Sequence, residues 1–162
     1  MHTSSAEQLR RFVDAHLVHG EPTNIADVGS FDESCTYRRI LTDTAWKYTG
    51  IDLHGGANVD LVVVKPYDWT EIPWNSMDVV VSGQTLEHVD KPWRWIRSIE
   101  RIVRSGGLVW ICAPNTWEFH EVPRDCWRIW PDGMRALFDE AGLVTLEAYK
   151  EGQDTVGVAR KN

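Results

Sequence analysis

Apolar residues along this chain recur with two periods, and the switches between them mark out its elements. Leu9, Phe12, Val13, His16 and Leu17 fall on one helical face behind the capping-box sequence Ser4-Ser5-Ala6-Glu7, which predicts an amphipathic helix over about 4–19. Gly20, Pro22 and Asn24 end it, and "NIADV" reads as a first strand over 24–28. A helix over 33–44 is expected to return the chain to a second strand, "KYTGID" at 47–52. "NVDLVVV" at 58–64 supplies a third strand and "MDVVVS" at 77–82 a fourth. The helical "WRWIRSIERIV" at 93–103 leads to a fifth strand, "GGLVWICAP" at 106–114. Beyond Pro131, "DGMRALFDEAG" at 132–142 is a short helix. "LVTLEAYK" and "TVGVARK" then pair as a closing hairpin across Glu151-Gly152-Gln153-Asp154. Apolar strands alternating with helices predict an α/β fold, a doubly wound and mostly parallel sheet with right-handed crossovers and a C-terminal antiparallel hairpin. With no repeat, linker or low-complexity run, residues 1–162 read as one domain, in which residues 1–22 pack on the sheet.

Composition narrows the function. Apolar residues make up 43% and charged residues 25%, the balance of an ordinary globular protein. The longest apolar runs, "DLVVV" and "MDVVV", are far short of the roughly 20 residues of a membrane span. The first residues lack the basic and apolar regions of a secretion signal. Cys35, Cys112 and Cys126 have no CxxC or Cys/His spacing, so neither a disulfide framework nor a zinc site is expected, and a reducing cytoplasm is the simplest home. A net charge of −7 and a pI near 5.3 argue against a nucleic-acid footprint, which depends on Lys and Arg. A small molecule is the better partner, and no membrane partner is expected.

The chemistry sits at the strand ends. The first strand closes in Asp27-Val28-Gly29 and the second in Asp52, and ligands of open α/β sheets bind beyond the carboxyl ends of parallel strands. Asp52 with Gly29 therefore points to a bound nucleoside.

From Ile25 onward the chain resembles the class I S-adenosylmethionine-dependent methyltransferases, and most closely their small bacterial domains. The segments that carry the likeness are "DVGS" at 27–30, "TYR" at 36–38, "YTGID" at 48–52, "MDVVVSGQTLEHV" at 77–89, "SGGL" at 105–108 and "PRDCWRIWPDGM" at 123–134. The resemblance implies a seven-stranded Rossmann-like sheet and S-adenosylmethionine as cofactor. It implies that Gly29 admits the amino-acid part of the cofactor, with Ser30 and Phe31 in the same loop and Asp27 toward the methionyl ammonium. Asp52, followed by Leu53, would accept bonds from the ribose hydroxyls. Asp68 would meet the adenine amino group with Trp69 beside the ring, although Tyr67 also fits that role. Ser82, Gly83 and Gln84 would line the floor near the methyl.

The chain departs from the usual Gly-x-Gly loop at Phe31, followed by Asp32 and Glu33. The ring must turn aside or stack near the cofactor, and the two acids must point away from the methionyl carboxylate. His88 and His120 follow the fourth and fifth strands, where a base for an acceptor hydroxyl belongs, and Asp125 or Glu87 would orient the ring. The competing reading is that Glu87 and His88 cap a helix while Asp125 pairs with Arg128 to shape a loop. His2, His16 and His19 have no partners in sequence and read as solvated. Residues 115–131 are the expected acceptor segment, with Trp117, Trp127 and Arg128 as substrate contacts and Trp130 nearby. A magnesium site at Glu118, Glu121 and Asp125 lacks a recurring spacing, so no metal is expected. The acidic surface favours a sugar, a glycan precursor or a secondary metabolite, methylated at oxygen or nitrogen. The short chain leaves its acceptor pocket to be completed by an open site, a mobile loop, a second copy or a partner subunit. Phe31, Asp32 and Glu33 also suit a non-catalytic binding or regulatory module. A nicotinamide-dependent oxidoreductase would need the absent GxGxxG.

Overall fold

The computed structural model describes residues 3–34, 36–121 and 124–162. His2, Cys35 and the Pro123 of the last motif lie outside the described residues. In chain order the elements are α1 (Thr3–His16), β1 (Thr23–Val28), α2 (Thr36–Ile40), β2 (Trp46–Asp52), β3 (Leu61–Val62) and β4 (Met77–Gly83). A 3-10 turn at Leu86–His88 leads to α3 (Pro92–Ile102), β5 (Val103–Pro114), α4 (Pro131–Glu140), β6 (Leu143–Glu151) and β7 (Asp154–Lys161).

These strands form one seven-stranded sheet of order β3-β2-β1-β4-β5-β7-β6. The first five run parallel, whereas β7 pairs antiparallel with both β5 and β6. Side chains alternate across a strand, so each central strand feeds two cores. Ala26, Val28, Val80, Val109 and Ile111 face Trp95, Ile96, Ile99 and Ile102 of α3 and Met134 and Phe138 of α4. Ile25, Val79, Val81 and Trp110 face Leu9, Phe12 and Val13 of α1 and Tyr37 of α2. That double burial is why the central strands read as near-continuous apolar runs. Gly157 of β7 lets α4 lie close, because a Cβ there would meet Met134 at 2.4 Å and Phe138 at 2.8 Å.

Three elements differ from the sequence expectation. α2 is only 5 residues long. The Asp32 carboxylate takes the backbone N–H groups of Ser34 and Thr36 and so starts the helix late, while Asp43 takes that of Ala45 and makes a turn of the polar 42–44 run. β3 pairs over two residues, because Asn58 is left-handed at φ 68° and Asp60 turns back to accept the Gly50 N–H at 2.7 Å. α1 already includes Ser4 and ends at His16, so Ser4 is not its N-cap. His16 and His19 also have partners. His16 Nε2 lies 3.4 Å from Glu147, and the His19 ring stacks on Trp46 with Nδ1 2.9 Å from Asp43. Among the described residues no helix is long and apolar enough to cross a membrane.

Candidate active site

The site begins where β1 leaves the sheet. Gly29 is left-handed at φ 78°, and its N–H and that of Ser30 both donate to the Ile51 carbonyl, at 2.9 and 3.1 Å. A Cβ at Gly29 would lie 2.2 Å from Thr85 Oγ1, so the residue must be glycine for its backbone angle and for the chain packed against it. Asp52 is half-buried at the end of β2, and its carboxylate accepts the N–H groups of Phe31 and His54, each at 3.2 Å. The half-exposed Phe31 ring leans over the following loop, where a Cβ on Gly56 would meet it at 2.4 Å. Leu53 is exposed beside it. Phe31 thus turns aside from the glycine turn. Asp32 is occupied at the start of α2, which answers how this loop accommodates a ring and a carboxylate.

Asp27 is buried, and its carboxylate accepts the Tyr48 hydroxyl at 2.5 Å. Asn58 donates to the same hydroxyl at 3.0 Å and to the Ser30 carbonyl at 2.8 Å, and the Arg38 guanidinium lies 4.3 Å over the Tyr48 ring. Arg38 in turn bonds Asn58 and Asp60. Burial raises the Asp27 carboxyl to about 7, against the opposing effect of the Tyr48 bond and with help from nearby Asp32 and Asp52. The Ser30 hydroxyl is buried among these groups with no hydrogen-bond partner.

Other residues expected around the cofactor are placed differently. Trp69 is a core residue, packed in the cluster beneath α3 with no face toward the crevice. Tyr67 is buried too, donating its hydroxyl to Asp90 and accepting the Lys91 N–H at 3.1 Å. Asp68 alone is exposed, and it pairs with Arg94 at 2.8 Å. Ser82 is buried and donates to the Val28 carbonyl at 2.6 Å, while Gly83 packs against the hydroxyl end of Tyr37. Neither forms an open floor, because β1 closes over Ser82 and Tyr37 of α2 over Gly83. Gln84, left-handed at φ 56°, donates to Asp154 at 3.0 Å.

A second group gathers beyond β4 and β5. Glu87 is buried, and its Oε1 lies 3.7 Å from His88 Nε2. His88 Nδ1 bonds the Arg124 carbonyl, and the His88 and His120 rings meet edge to face with centroids 5.2 Å apart. Asp125 Oδ2 accepts the His120 N–H at 2.7 Å and lies 3.5 Å from His120 Nδ1. Both Asp125 oxygens also bond Arg128, at 2.5 and 2.7 Å. Arg128 donates further to the carbonyls of Trp117, Glu118 and Trp127. Its five N–H donors are thereby all used, so Arg128 staples the loop and has none left for a ligand. The Arg128 bonds hold the Asp125 carboxyl well below the usual carboxylate range, and burial raises Glu87 to about 7. An open hollow beside this group is lined by Trp117, Phe119, Asp125, Cys126, Trp127 and Arg128. Trp130 stands apart, with Lys150 over its ring.

Sequence reasoning missed Tyr48 and Asn58 as partners of this site, and Thr85 as the group filling the space over Gly29. Their contacts depend on strand register and on left-handed turns, which leave no periodic signal.

A sheet of this order, with an antiparallel β7 and acidic ends on β1 and β2, defines the class I S-adenosylmethionine-dependent methyltransferase fold. A family model described as a methyltransferase domain matches residues 26–111, and the chain belongs to that family. No curated protein matches the sequence. Among solved structures the chain is similar to an S-adenosylmethionine-dependent methyltransferase from Aquifex aeolicus, with TM-score 0.70, 14% identity and 98% of each chain covered. It is also similar to the 1,6-didemethyltoxoflavin-N1-methyltransferase of Burkholderia thailandensis, solved with 1,6-didemethyltoxoflavin and S-adenosylhomocysteine. That match has TM-score 0.76 and 16% identity, over 98% of this chain and 79% of the other. A third likeness is to a complex containing the Trm112 methyltransferase activator of Haloferax volcanii, with TM-score 0.72, 15% identity and coverage of 98% and 94%.

Proposed function

We propose that this protein binds S-adenosylmethionine at the glycine turn after β1 and transfers its methyl group to a small acceptor at the hollow beside Glu87, His88 and His120. The observation that carries this reading is the half-buried Asp52 carboxylate at the end of β2, facing the left-handed Gly29 turn with the Phe31 ring folded aside. The residues fit the cofactor. A ribose diol suits a carboxylate that already accepts two N–H groups and keeps lone pairs in reserve, and a methionyl ammonium suits the buried Asp27 carboxyl. The unpaired Ser30 hydroxyl offers one more polar contact in the same turn. The bound cofactor supplies a methyl on a positively charged sulfur, ready for in-line displacement.

The chain's own part is positioning. Thr85, against Gly29, joins the cofactor turn to the Leu86–His88 turn, so the two histidines sit beside the place where an acceptor must approach. A hydroxyl acceptor has to lose a proton there, and the imidazole nitrogens not bonded to carbonyls are positioned to take it. Asp125 serves by fixing the loop that carries His120, and Trp117 and Trp127 offer faces on which a flat acceptor stacks. The hollow is open enough that a second copy or a partner subunit would complete it, an arrangement for which the Trm112 complex gives a precedent of fold.

The test is transfer of a labelled methyl from S-adenosylmethionine to a panel of small sugars, phenols and amines. Label in one acceptor class, with S-adenosylhomocysteine formed in equal amount, is the expected result. If the chain binds S-adenosylhomocysteine but labels none of them, the small-acceptor reading fails and a binding module remains.

A further inference from the structure

Glu87, His88 and His120 come from two separate loops, yet each offers a ligand atom within 4.8 Å of the other two. The donors are arranged as metal ligands are. His88 Nδ1 is engaged by the Arg124 carbonyl, which leaves Nε2 toward Glu87 at 3.7 Å. His120 Nδ1 is engaged by the Glu118 carbonyl at 3.0 Å and by Asp125 at 3.5 Å, which leaves its Nε2 uncommitted. A ring N–H held by a carbonyl or carboxylate fixes the tautomer that presents a lone pair to an ion. Independently, Glu87 is 99% buried and its Oε2 has no hydrogen-bond partner. A buried carboxylate oxygen without a donor carries a cost that a cation relieves.

We propose that Glu87, His88 and His120 form a three-ligand site for a divalent transition-metal ion, Zn2+ by its donor set, with the fourth position open beside the Trp117–Trp127 hollow. Two imidazoles and one carboxylate with a vacant position are the ligand set of catalytic zinc sites. Ligand atoms around such an ion stand roughly 3.4 Å apart, for bonds of about 2.0–2.1 Å, so the His88–Glu87 edge is nearly formed and His120 closes by a small ring movement. The carboxylates Glu118, Glu121 and Asp125, whose spacing in sequence argued against a magnesium site, do not belong to it. Asp125 is saturated by Arg128 and the His120 N–H and supports the site only through His120. An ion here would occupy the imidazole nitrogens that otherwise serve as bases, and would instead seat an acceptor through a hydroxyl or enolic oxygen and ease loss of its proton, which narrows the acceptor to oxygen-bearing small molecules. That use rests on the proposed methyl transfer, whereas the metal site itself does not.

The test is calorimetric titration of the metal-stripped full chain with Zn2+, Co2+ and Mg2+ salts, alongside a titration with S-adenosylhomocysteine. One Zn2+ per chain is expected at micromolar affinity or better, with Mg2+ far weaker and the visible spectrum of Co2+ that of a low-symmetry site. His120→Ala and Glu87→Gln should each weaken Zn2+ at least about 100-fold while S-adenosylhomocysteine still binds. In the unmutated chain, the imidazole nitrogen resonances of His88 and His120 should be the ones that move with Zn2+. Absence of Zn2+ binding, stationary His88 and His120 signals, or undiminished affinity in a folded His120→Ala variant overturns the proposal. If S-adenosylhomocysteine binds and Zn2+ does not, the metal site alone is lost. If Zn2+ binds as described and S-adenosylhomocysteine does not, the cofactor reading is lost and the site stands.

Discussion

At the scale of single residues, the buried Asp27 makes stability depend on pH in a defined direction. Its carboxyl titrates near 7 in the folded chain against 3.8 for an exposed aspartate. A raised acid favours the fold fully below its unfolded value, and that contribution is lost as pH rises through the folded one. Asp27→Asn mimics the protonated form and keeps an acceptor for Tyr48. In urea titrations its advantage over the parent should therefore widen between about pH 4 and about pH 7 and level off above, by up to about 4 kcal/mol at 1.36 kcal/mol per pH unit. A constant difference across that window would show that Asp27 is not titrating there. Arg128 supports a second prediction. Its five donors hold three carbonyls and the Asp125 carboxylate, and lysine has no equivalent fork. Arg128→Lys should cost on the order of 2 kcal/mol and speed hydrogen exchange at residues 117–121 and 125–129, leaving the sheet protected. Asp125 as a conformational anchor and Asp27 as a paired group were legible only as sequence candidates. The distances that separate anchoring from ligand contact arise from loops folding back, which no local pattern encodes.

At the scale of elements, the junction between β1 and β4 is the most constrained part of the site. The Gly29 turn and Thr85 occupy each other's space, so Gly29→Ala brings both a strained backbone and a collision at 2.2 Å. It should destabilise by about 2–4 kcal/mol. Adding Thr85→Ala should recover part of the collision component, the Cβ at position 85 remaining 2.8 Å away, and leave the rest with the left-handed cost of roughly 1 kcal/mol, a coupling that a double-mutant cycle in denaturant measures. Additive effects would mean that the turn and Thr85 do not touch in solution. The central strands were legible because burial on both faces writes an apolar run of strand length. α2 and β3 were read too long for a shared reason. Asp32, Asp43, Asn58 and Asp60 spend their side chains on backbone N–H groups or neighbouring loops, ending elements that the apolar pattern alone would continue. Trp69 shows the converse. Its place next to Asp68 suited a ring beside adenine, but its bulk is buried under α3, where the Arg101 guanidinium bonds its carbonyl.

At the scale of the whole molecule, the mostly parallel sheet and its closing hairpin were legible in the alternation of elements, whereas the strand order β3-β2-β1-β4-β5-β7-β6 comes from the fold itself. Strand ends then converge on one edge, which is why Asp52 and Gly29 could be picked out together from residues far apart in the chain. The meeting of Glu87, His88 and His120 was not legible in the same way, because it depends on how the 115–131 segment folds over the Leu86–His88 turn. The claim on which the account turns is that the β1 and β2 ends hold the nucleoside of S-adenosylmethionine. Titration calorimetry with S-adenosylhomocysteine measures it directly, on the parent chain and on Asp52→Ala. One-to-one binding in the micromolar range, weakened at least about tenfold by the substitution, is the predicted result. No heat of binding at about millimolar ligand, or equal affinity in a folded Asp52→Ala variant, would contradict it.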